Sequence, residues 1–403
     1  MIHIVIQPFI YGKTFFYKRY KIKNQSIFFA KTVDISEIIY IFVNRTTITI
    51  MDKRVIFGKR LKSAREMKGL SMANLVEKMA DIVSKQAISK YEAGKMLPDS
   101  TVLIKLAEVL GVKVDYFFRP FTVSLSGIEF RKKTKMTEKD RKSVEQQVMD
   151  HVERYFEIEE IAGIKQNVSP LRREEIIHSR EDVIKLVQEI RKDWELGEDG
   201  IIDVINLLEN KRIKVIEFDA PNEFDGLSGT AGEDIVIVLN SKIHPTERKR
   251  FTALHELGHL IMKFDEGIDD RAKEKLCHTF ASEFLIPSKT FRNIVGDISK
   301  STLNMVAFAE IQHNFGISID ALIKKAEDEG MITGNRYKNY YIRKNTNPYF
   351  KQYVEKSRIE NEQPHRFISL VYDAYSKNLI SASKAATLLN IPVNDVLDKA
   401  LFV

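Results

Sequence analysis

The sequence predicts a mainly α-helical protein with a small β-sheet, an α+β fold divided among several domains. Its 403 residues are enough for roughly two to four domains. After residue 51 most apolar residues recur at helical spacing. Two stretches, 213–218 and 235–239, are instead short apolar runs rich in β-branched residues, which is typical of strands. We therefore expect helical regions on both sides of one domain that contains a sheet.

The composition indicates a cytoplasmic protein. Hydrophobic residues make up 44% and charged residues 30% of the chain, which suits ordinary soluble domains. The single cysteine, Cys277, excludes an internal disulfide framework, and we expect it to be a small buried residue. No apolar run approaches the ~20 residues of a membrane span, and no signal-peptide pattern is present, so no membrane partner is expected. The net charge of +7 permits nucleic-acid binding without requiring it.

Residues 1–50 differ from the rest of the chain. Their acidic residues are Asp34 and Glu37 alone, and they show no sustained period of either a strand or a helix. Met51 stands immediately before the first well-patterned helix and resembles a natural start. We expect residues 1–50 to be a dispensable extension, with an additional β-rich segment as the alternative.

Residues 51–120 are predicted to form a bundle of five short helices. A basic first helix buries Phe57, Leu61 and Ala64. Ser71 and Ser84 are placed as N-caps of the next two helices, and Gly94 ends the second of them. Two short helices joined by a tight turn and followed by another apolar helix are typical of a helix-turn-helix unit.

The Leu-Ser and Ser-x-x-x-Ile-Ser-x-x-Glu-x-Gly patterns of this unit resemble the phage-repressor-like (XRE) DNA-binding domains. The resemblance implies a double-stranded DNA operator as partner, with the second helix of the motif in the major groove. The residues that would lie near bases and phosphates are Lys85, Gln86, Ser89 and Lys90. Two departures from the family pattern are Met72 in place of a frequent Gln and a turn before Ser84 that is one residue longer. A bundle that only dimerises is the alternative.

Residues 121–180 are predicted to be a connector that contains a long charged helix, from about residue 137 to residue 161. Val144, Val148 and Val152 recur at helical spacing within it. We expect a helix that packs against other elements or forms a homodimer, with a solvated spacer as the alternative.

The domain at 181–335 carries the chemistry. His255 and His259 lie four residues apart, so one face of a helix can turn both imidazoles toward one metal ion. Glu256 between them points elsewhere and is free to take a proton from a water molecule, as in zinc-dependent peptide hydrolysis. A catalytic zinc requires a third protein ligand. On spacing alone the third ligand is open among Glu274, Asp265, Glu266, Asp269, Asp270, His278 and Glu283.

This helix, the acidic turn after it and the Phe-Ala-Ser-Glu-Phe-Leu-Ile-Pro ending at 280–287 resemble the ImmA/IrrE family of metallo-endopeptidases. The resemblance implies a zincin-like peptidase domain, a Zn²⁺ ion (or another divalent metal such as Mn²⁺), and Glu274 as the third ligand. It also implies a protein substrate, typically a helix-turn-helix repressor whose cleavage switches genes on. The sequence departs from the family at Cys277-His278, where the family has Ala-Asn, so His278 is either a partner that orients a ligand or a ligand itself.

The remaining expectations concern the substrate and the C-terminal region. The strand at 235–239 directly precedes the helix with His255, and we expect its edge to hold a peptide as an added strand. Tyr337, Tyr340 and Tyr341 are candidate stabilisers of the oxyanion. Residues 336–403 are predicted to be a linker, polar at 345–363, followed by a small helical unit.

The sequence thus predicts a DNA-binding regulator fused to a zinc endopeptidase that cuts a separate repressor or its own DNA-binding domain. The alternatives are a one-component transcription factor whose peptidase-like module senses a metal or ligand, and an antitoxin-like operon regulator.

Overall fold

A computed structural model describes residues 53–121, 136–164, 175–298 and 303–400, together with residues 125–126 and six short strands before residue 50. The six strands form three antiparallel pairs: β1 (Ile10–Tyr11) with β2 (Thr14–Phe15), β3 (Tyr20–Ile22) with β4 (Gln25–Ile27), and β5 (Ile41–Val43) with β6 (Thr46–Ile48). The rest of the predicted extension lies outside the described residues. The structure is mainly helical with small sheets, an α+β fold as predicted. Within the described ranges, no helix has the length and apolar character needed to cross a membrane.

The first bundle consists of four α-helices and a 3₁₀ helix. They are α1 (Lys53–Met67), α2 (Met72–Lys78), α3 (Lys85–Glu92), α4 (Ser100–Leu110) and the 3₁₀ helix Val114–Phe118. The predicted caps are confirmed, because the Ser71 and Ser84 hydroxyls accept hydrogen bonds from backbone N–H groups of α2 and α3. Gly94 follows α3 with a φ of 68°, a left-handed conformation that glycine adopts without steric cost.

A long helix, α5 (Glu138–Ile161), joins this bundle to the rest of the protein. It follows the short strand β7 (Leu125–Ser126), and Thr137 caps its first turn. Val144, Val148 and Val152 are fully buried against the central β-sheet, and Ile158 packs on the C-terminal helices. The helix therefore packs within the chain, and the solvated-spacer alternative is wrong.

The central sheet has four strands in the order β7, β10 (Gly226–Ala231), β11 (Asp234–Asn240) and β9 (Lys214–Phe218). β11 pairs antiparallel with β10 and parallel with β9, so it lies inside the sheet. The prediction that 235–239 offers a free edge is therefore wrong. The physical reason is the tight turn at Gly232, with a φ of 61°, which folds β10 back against the side of β11 that would otherwise be open. A second, parallel pair joins β8 (Ile176–Ile177) to β12 (Lys263–Phe264).

The face of the sheet opposite α5 is covered by helices that share one large apolar core. They are α6 (Arg180–Asp193), α7 (Val204–Asn210), α8 (Thr246–Ile261), α9 (Asp270–Leu285) and α10 (Ser288–Val295). Leu254, Leu257 and Ile261 of α8 point into this core. The apolar residues of α8 therefore fix the direction of its polar side.

The C-terminal region holds α11 (Met305–Phe315), α12 (Ile319–Asp328), α13 (Gly334–Thr346), α14 (Pro348–Glu355), α15 (Arg366–Ser376), α16 (Ala382–Leu389) and α17 (Val393–Ala400). The polar linker predicted at 345–363 is not observed as such. Asn347 caps α14 with proline at its first turn, and Glu362 is 5% exposed and paired with Arg250 of α8. A buried ion pair fixes this segment to the core, so its polarity does not indicate solvent exposure.

Candidate metal centre and DNA-binding surface

Two histidines of α8 converge on one point. His255 and His259 are one helical turn apart, and their Nε2 atoms are 3.0 Å from each other. Two imidazole nitrogens at this distance either share a proton or bind a common cation, since two lone pairs repel each other. The apolar face of α8 holds both rings toward α9 rather than toward solvent.

Glu274 of α9 completes a triangle of donor atoms. Its carboxylate oxygens lie 3.3 Å from His255 Nε2 and 3.5 Å from His259 Nε2. A tetrahedral zinc site with bonds of about 2.05 Å has ligand atoms about 3.3 Å apart. The side chains of His255 and Glu274 are 13% and 14% exposed, so one side of the triangle is open to solvent. The donor set, its spacing and its open side therefore fit a catalytic zinc ion.

α8 and α9 can approach this closely because of a glycine. A Cβ atom at Gly258 would lie 3.1 Å from the Phe280 ring of α9, closer than side chains normally pack. Glu274, Cys277 and His278 follow at i, i+3 and i+4 on the same side of α9. The close contact of the two helices brings this side of α9 against the histidines.

The structure separates the seven candidate third ligands. Glu283 is 1% exposed and forms a 2.7 Å ion pair with Lys325. Asp265 accepts the N–H of Gly267, and Asp269 caps α9. Glu266 and Asp270 are exposed. His278 lies beside the centre, with its ring centroid 4.8 Å from that of His255. Glu274 is the candidate that the structure brings within reach of both histidines.

Cys277 has a contact that the sequence did not predict. Its sulfur lies 2.9 Å from Nδ1 of His259, the nitrogen that faces away from the triangle. A histidine that binds a metal through Nε2 uses Nδ1–H as a donor, and an acceptor at that position fixes the ring. The spacing of Cys277 three residues after Glu274 was the available signal.

Glu256 lies outside the triangle, on the side of α8 that faces β10. Its Oε2 accepts a 2.8 Å hydrogen bond from the hydroxyl of Ser228 in β10. Ser228 is 9% exposed, so this bond is shielded from water and orients the carboxylate. Sequence reasoning missed Ser228, because 28 residues separate it from Glu256.

A groove of about 1120 Å³ runs past one end of the centre, where Phe251 and His278 line it. Tyr337 and Tyr341 line it further along. Burial and the Asp320 carboxylate raise the pKa of Tyr341, so its hydroxyl stays protonated and able to donate. Tyr340 is 4% exposed and donates its hydroxyl to Asp320 at 2.8 Å. Tyr340 is thus committed to a structural bond, whereas Tyr337 and Tyr341 face the groove.

The predicted DNA-contacting residues lie together on α3. Ile88 and Tyr91 anchor the helix in the bundle core. The side chains that point away from this core are all exposed, and they are Lys85, Gln86, Ser89 and Lys90. Arg65 of α1 holds the end of α3 through two hydrogen bonds to Glu92, of 2.6 and 2.9 Å. α3 therefore presents a rigid polar surface with two positive charges.

Comparisons with known proteins agree with this arrangement. Residues 61–117 match the family model of the helix-turn-helix domain, and residues 208–327 match that of the IrrE N-terminal-like domain. The chain is 41% identical over 66 residues to the SPbeta prophage-derived uncharacterized HTH-type transcriptional regulator YonR of Bacillus subtilis (strain 168), a match that covers 16% of this chain and 57% of that protein. It is 31% identical over 64 residues to the uncharacterized HTH-type transcriptional regulator YqaE of the same organism, covering 16% and 53%.

The chain thus spans about half the length of the curated relatives that it matches. Among solved structures, the apo form of ComR from S. thermophilus aligns with 87% of this chain and 99% of its own length, at 10% identity and a TM-score of 0.16. That score is too low to carry an argument about the fold. The family matches identify this chain as one that joins an XRE-type helix-turn-helix domain to an IrrE/ImmA-like domain of metallopeptidase-like fold.

Proposed function

We propose that this protein is a DNA-binding transcriptional regulator that carries a zinc-dependent endopeptidase of zincin-like fold. Its substrate is a helix-turn-helix repressor, either a separate protein or its own DNA-binding domain, and cleavage derepresses genes. The observation that carries the proposal is the triangle of His255, His259 and Glu274 with Glu256 beside it. A purely structural metal site has no need of the additional carboxylate.

In this proposal His255, His259 and Glu274 hold the metal, Zn²⁺ or alternatively Mn²⁺. A bound Zn²⁺ supplies a positive charge that polarises the peptide carbonyl and lowers the pKa of water. Cys277 keeps the His259 ring oriented through Nδ1. His278, exposed beside His255, and the groove tyrosines Tyr337 and Tyr341 are the donors available to a developing oxyanion.

Glu256 performs the proton transfers. It removes a proton from the attacking water, whose oxygen bonds to the carbonyl carbon, and delivers that proton to the leaving nitrogen as the C–N bond breaks. Ser228 holds the carboxylate in place for both transfers. Because β7 pairs with β10 at Thr230 and Ala231, a substrate peptide that takes the place of β7 beside β10 would pass Glu256 in an extended conformation.

The DNA-binding part of the proposal rests on α3. α3 is the second helix of the helix-turn-helix motif, its polar face is exposed, and its other face is anchored in the bundle core. These features suit insertion of α3 in the major groove of a double-stranded operator. We count the 3₁₀ helix as the fifth helix of a repressor-type bundle. A homodimer on a two-fold symmetric operator remains part of the proposal.

One observation favours a second function, a one-component transcription factor that senses a metal or ligand without proteolysis. α5 packs both on α1, through the Arg60–Glu153 ion pair of 2.7 Å, and on the sheet that carries Ser228. A conformational change at the metal centre would therefore be transmitted to the DNA-binding domain through α5.

The experiment that separates the two functions uses the full chain, its metal removed and then restored with zinc. It is incubated with purified helix-turn-helix repressors, and the fragments are identified by mass spectrometry. We expect a discrete fragment that requires zinc and is absent with His259→Ala. Zinc-dependent changes in operator binding without any fragment would favour the sensor and refute the peptidase.

A further inference from the structure

The helices α13 and α14, with the turn after them, carry most of the excess positive charge of the chain. Residues 334–358 contain seven lysines or arginines and one acid, Glu355, which leaves a formal charge of +6. The whole chain has a net charge of +7. The charges of all other residues therefore nearly cancel, and the excess is concentrated in this one segment.

Four of these cations have no acidic partner in the described part of the chain. Lys344 is buried and pairs with Asp320 at 2.6 Å and with Glu355 at 3.0 Å, so the acid of the segment is already neutralised. Arg336 and Arg358 are half-buried and donate to backbone carbonyls. The cations that remain exposed and form no salt bridge are Lys338, Arg343, Lys351 and Lys356.

These four cations stand on a rigid support. Tyr340, Phe350 and Val354 pack into the large apolar core and fix the inner side of both helices. Cζ of Arg343 lies 4.2 Å from the centre of the Phe350 ring, so this arginine joins α13 to α14. α3, in contrast, is anchored in the separate core of the first bundle. The basic surface of α13 and α14 is therefore not an extension of the DNA-contacting helix.

The residues between the cations favour a nucleic acid over a protein as the partner. Tyr349 is 85% exposed, and three exposed asparagines of α13 are Asn335, Asn339 and Asn345. Asparagine and tyrosine, together with lysine and arginine, make most of the protein contacts to phosphates and sugars. Protein–protein interfaces are instead depleted in lysine and have an apolar centre. Three of the four free cations here are lysines.

We propose that Lys338, Arg343, Lys351 and Lys356, with Tyr349, form a second DNA-contacting surface, which binds the phosphate backbone of double-stranded DNA beside the operator. It reads no sequence, because phosphates carry none. The inference goes beyond the proposed function, in which α3 alone contacts DNA, and it does not depend on proteolysis. Once α3 holds an operator, the flanking duplex is at a high effective concentration, so weak backbone contacts are sufficient.

The dimensions of the surface suit duplex DNA. α13 has 13 residues and is therefore about 20 Å long. Lys338 and Arg343 are five residues apart, which is about 7.5 Å along the helix axis. Successive phosphates of one strand advance by about 3.4 Å along the duplex. Each cation can therefore neutralise a different phosphate and release its counterion.

The test uses the full chain and two labelled duplexes of equal length, one from its own promoter region and one of scrambled sequence. Fluorescence anisotropy measures the association constant over a range of salt concentrations. The variant replaces the four cations by glutamine: Lys338→Gln/Arg343→Gln/Lys351→Gln/Lys356→Gln. On both duplexes, the slope of the logarithm of the association constant against log salt concentration should become shallower by about 0.9 for each lost phosphate contact, and by up to about 3.6 in all.

The matched control also removes three exposed lysines and one exposed arginine, all outside the first bundle and outside α13 and α14. It is Lys192→Gln/Lys263→Gln/Arg271→Gln/Lys399→Gln. The control changes the net charge equally and should keep the wild-type slope. If the fourfold variant unfolds at a lower temperature, the four single replacements repeat the measurement, each with an expected change of up to about 0.9.

Equal slopes for the variant and the control on both duplexes, with unchanged thermal unfolding, would overturn the inference. If the variant then binds a labelled poly-glutamate peptide more weakly than the control does, the surface recognises an acidic protein segment. Lys85→Ala/Lys90→Ala separates this surface from α3, because it should reduce the preference for the promoter duplex. If that double variant binds both duplexes like the wild type while the variant of α13 and α14 loses slope, the role of α3 fails and this inference stands.

Discussion

Replacing Glu274 with glutamine tests the third ligand of the candidate metal centre. The change removes the negative charge and keeps the volume of the side chain, so the packing of α9 on α8 should persist. In the structure the Glu274 carboxylate lies 3.3 and 3.5 Å from the two histidine nitrogens. Glutamine is a far weaker zinc ligand, because zinc sites in proteins use carboxylate, imidazole and thiolate.

The expected loss of zinc affinity follows from the number of ligands. A structural site with four protein ligands binds Zn²⁺ with a free energy of about 10–16 kcal/mol, so each ligand contributes about 2.5–4 kcal/mol. Loss of Glu274 should therefore raise the zinc Kd about 10²–10³-fold. At a fixed excess of zinc, a 100-fold weaker affinity removes up to about 2.7 kcal/mol of zinc-dependent stabilisation against unfolding.

Competition with a chromophoric chelator measures the Kd, and thermal unfolding with and without zinc measures the stabilisation. Asp270→Asn is the matched control, since Asp270 is an exposed acid in the first turn of the same helix, and it should bind zinc like the wild type. Wild-type affinity in Glu274→Gln would refute this reasoning. If zinc affinity is lost in His278→Ala and not in Glu274→Gln, His278 is the third ligand.

Three further predictions concern the DNA-binding domain and α5. Arg60→Ala should destabilise the protein by up to about 3–5 kcal/mol in denaturant unfolding, because the buried Glu153 carboxylate loses its 2.7 Å partner and keeps Arg119 at 3.4 Å. The exposed control Lys59→Ala should change stability by less than about 0.5 kcal/mol. Burial, together with the nearby Arg154 charge, lowers the pKa of His151 to about 3 in the folded protein. In the unfolded chain His151 binds a proton near pH 6.5, so the free energy of unfolding should fall by up to about 1.4 kcal/mol per pH unit on acidification below that pH. The contribution of His151 to this pH dependence should vanish in His151→Phe. The association constant for the operator should depend less steeply on salt in Lys85→Ala and in Lys90→Ala: the slope of its logarithm against log salt concentration should become shallower by about 0.9 for each phosphate that the variant no longer neutralises. An unchanged slope in both variants would argue against α3 as the DNA-contacting helix.

The local features of the fold were predictable because they depend on neighbours in sequence. Ser71 and Ser84 are N-caps as expected, since a hydroxyl before an apolar helical run satisfies free N–H groups at the helix start. The approach of His255 and His259 follows from helical geometry alone. These features require no knowledge of how the domains meet.

The long-range features were not predictable in the same way. The order of strands depends on the hairpin turn at Gly232, because this turn brings β10 to pair with one side of β11. The closeness of β11 to α8 in sequence does not determine that order. The Ser228–Glu256 bond depends on that order. The burial of Glu362 depends on Arg250, which lies 112 residues earlier in the chain. A polar stretch therefore resembles a linker until its partner is known.

The catalytic role of Glu256 is the central claim, and Glu256→Gln tests it most directly. The variant keeps the triangle of His255, His259 and Glu274, so zinc should bind with unchanged affinity. The base that accepts the proton from water is lost, and the rate of peptide cleavage should fall about 10²–10⁴-fold. Glu266→Gln, a change at an exposed acid beyond α8, should cleave at the wild-type rate. Normal zinc binding together with cleavage at the wild-type rate in Glu256→Gln would contradict the account.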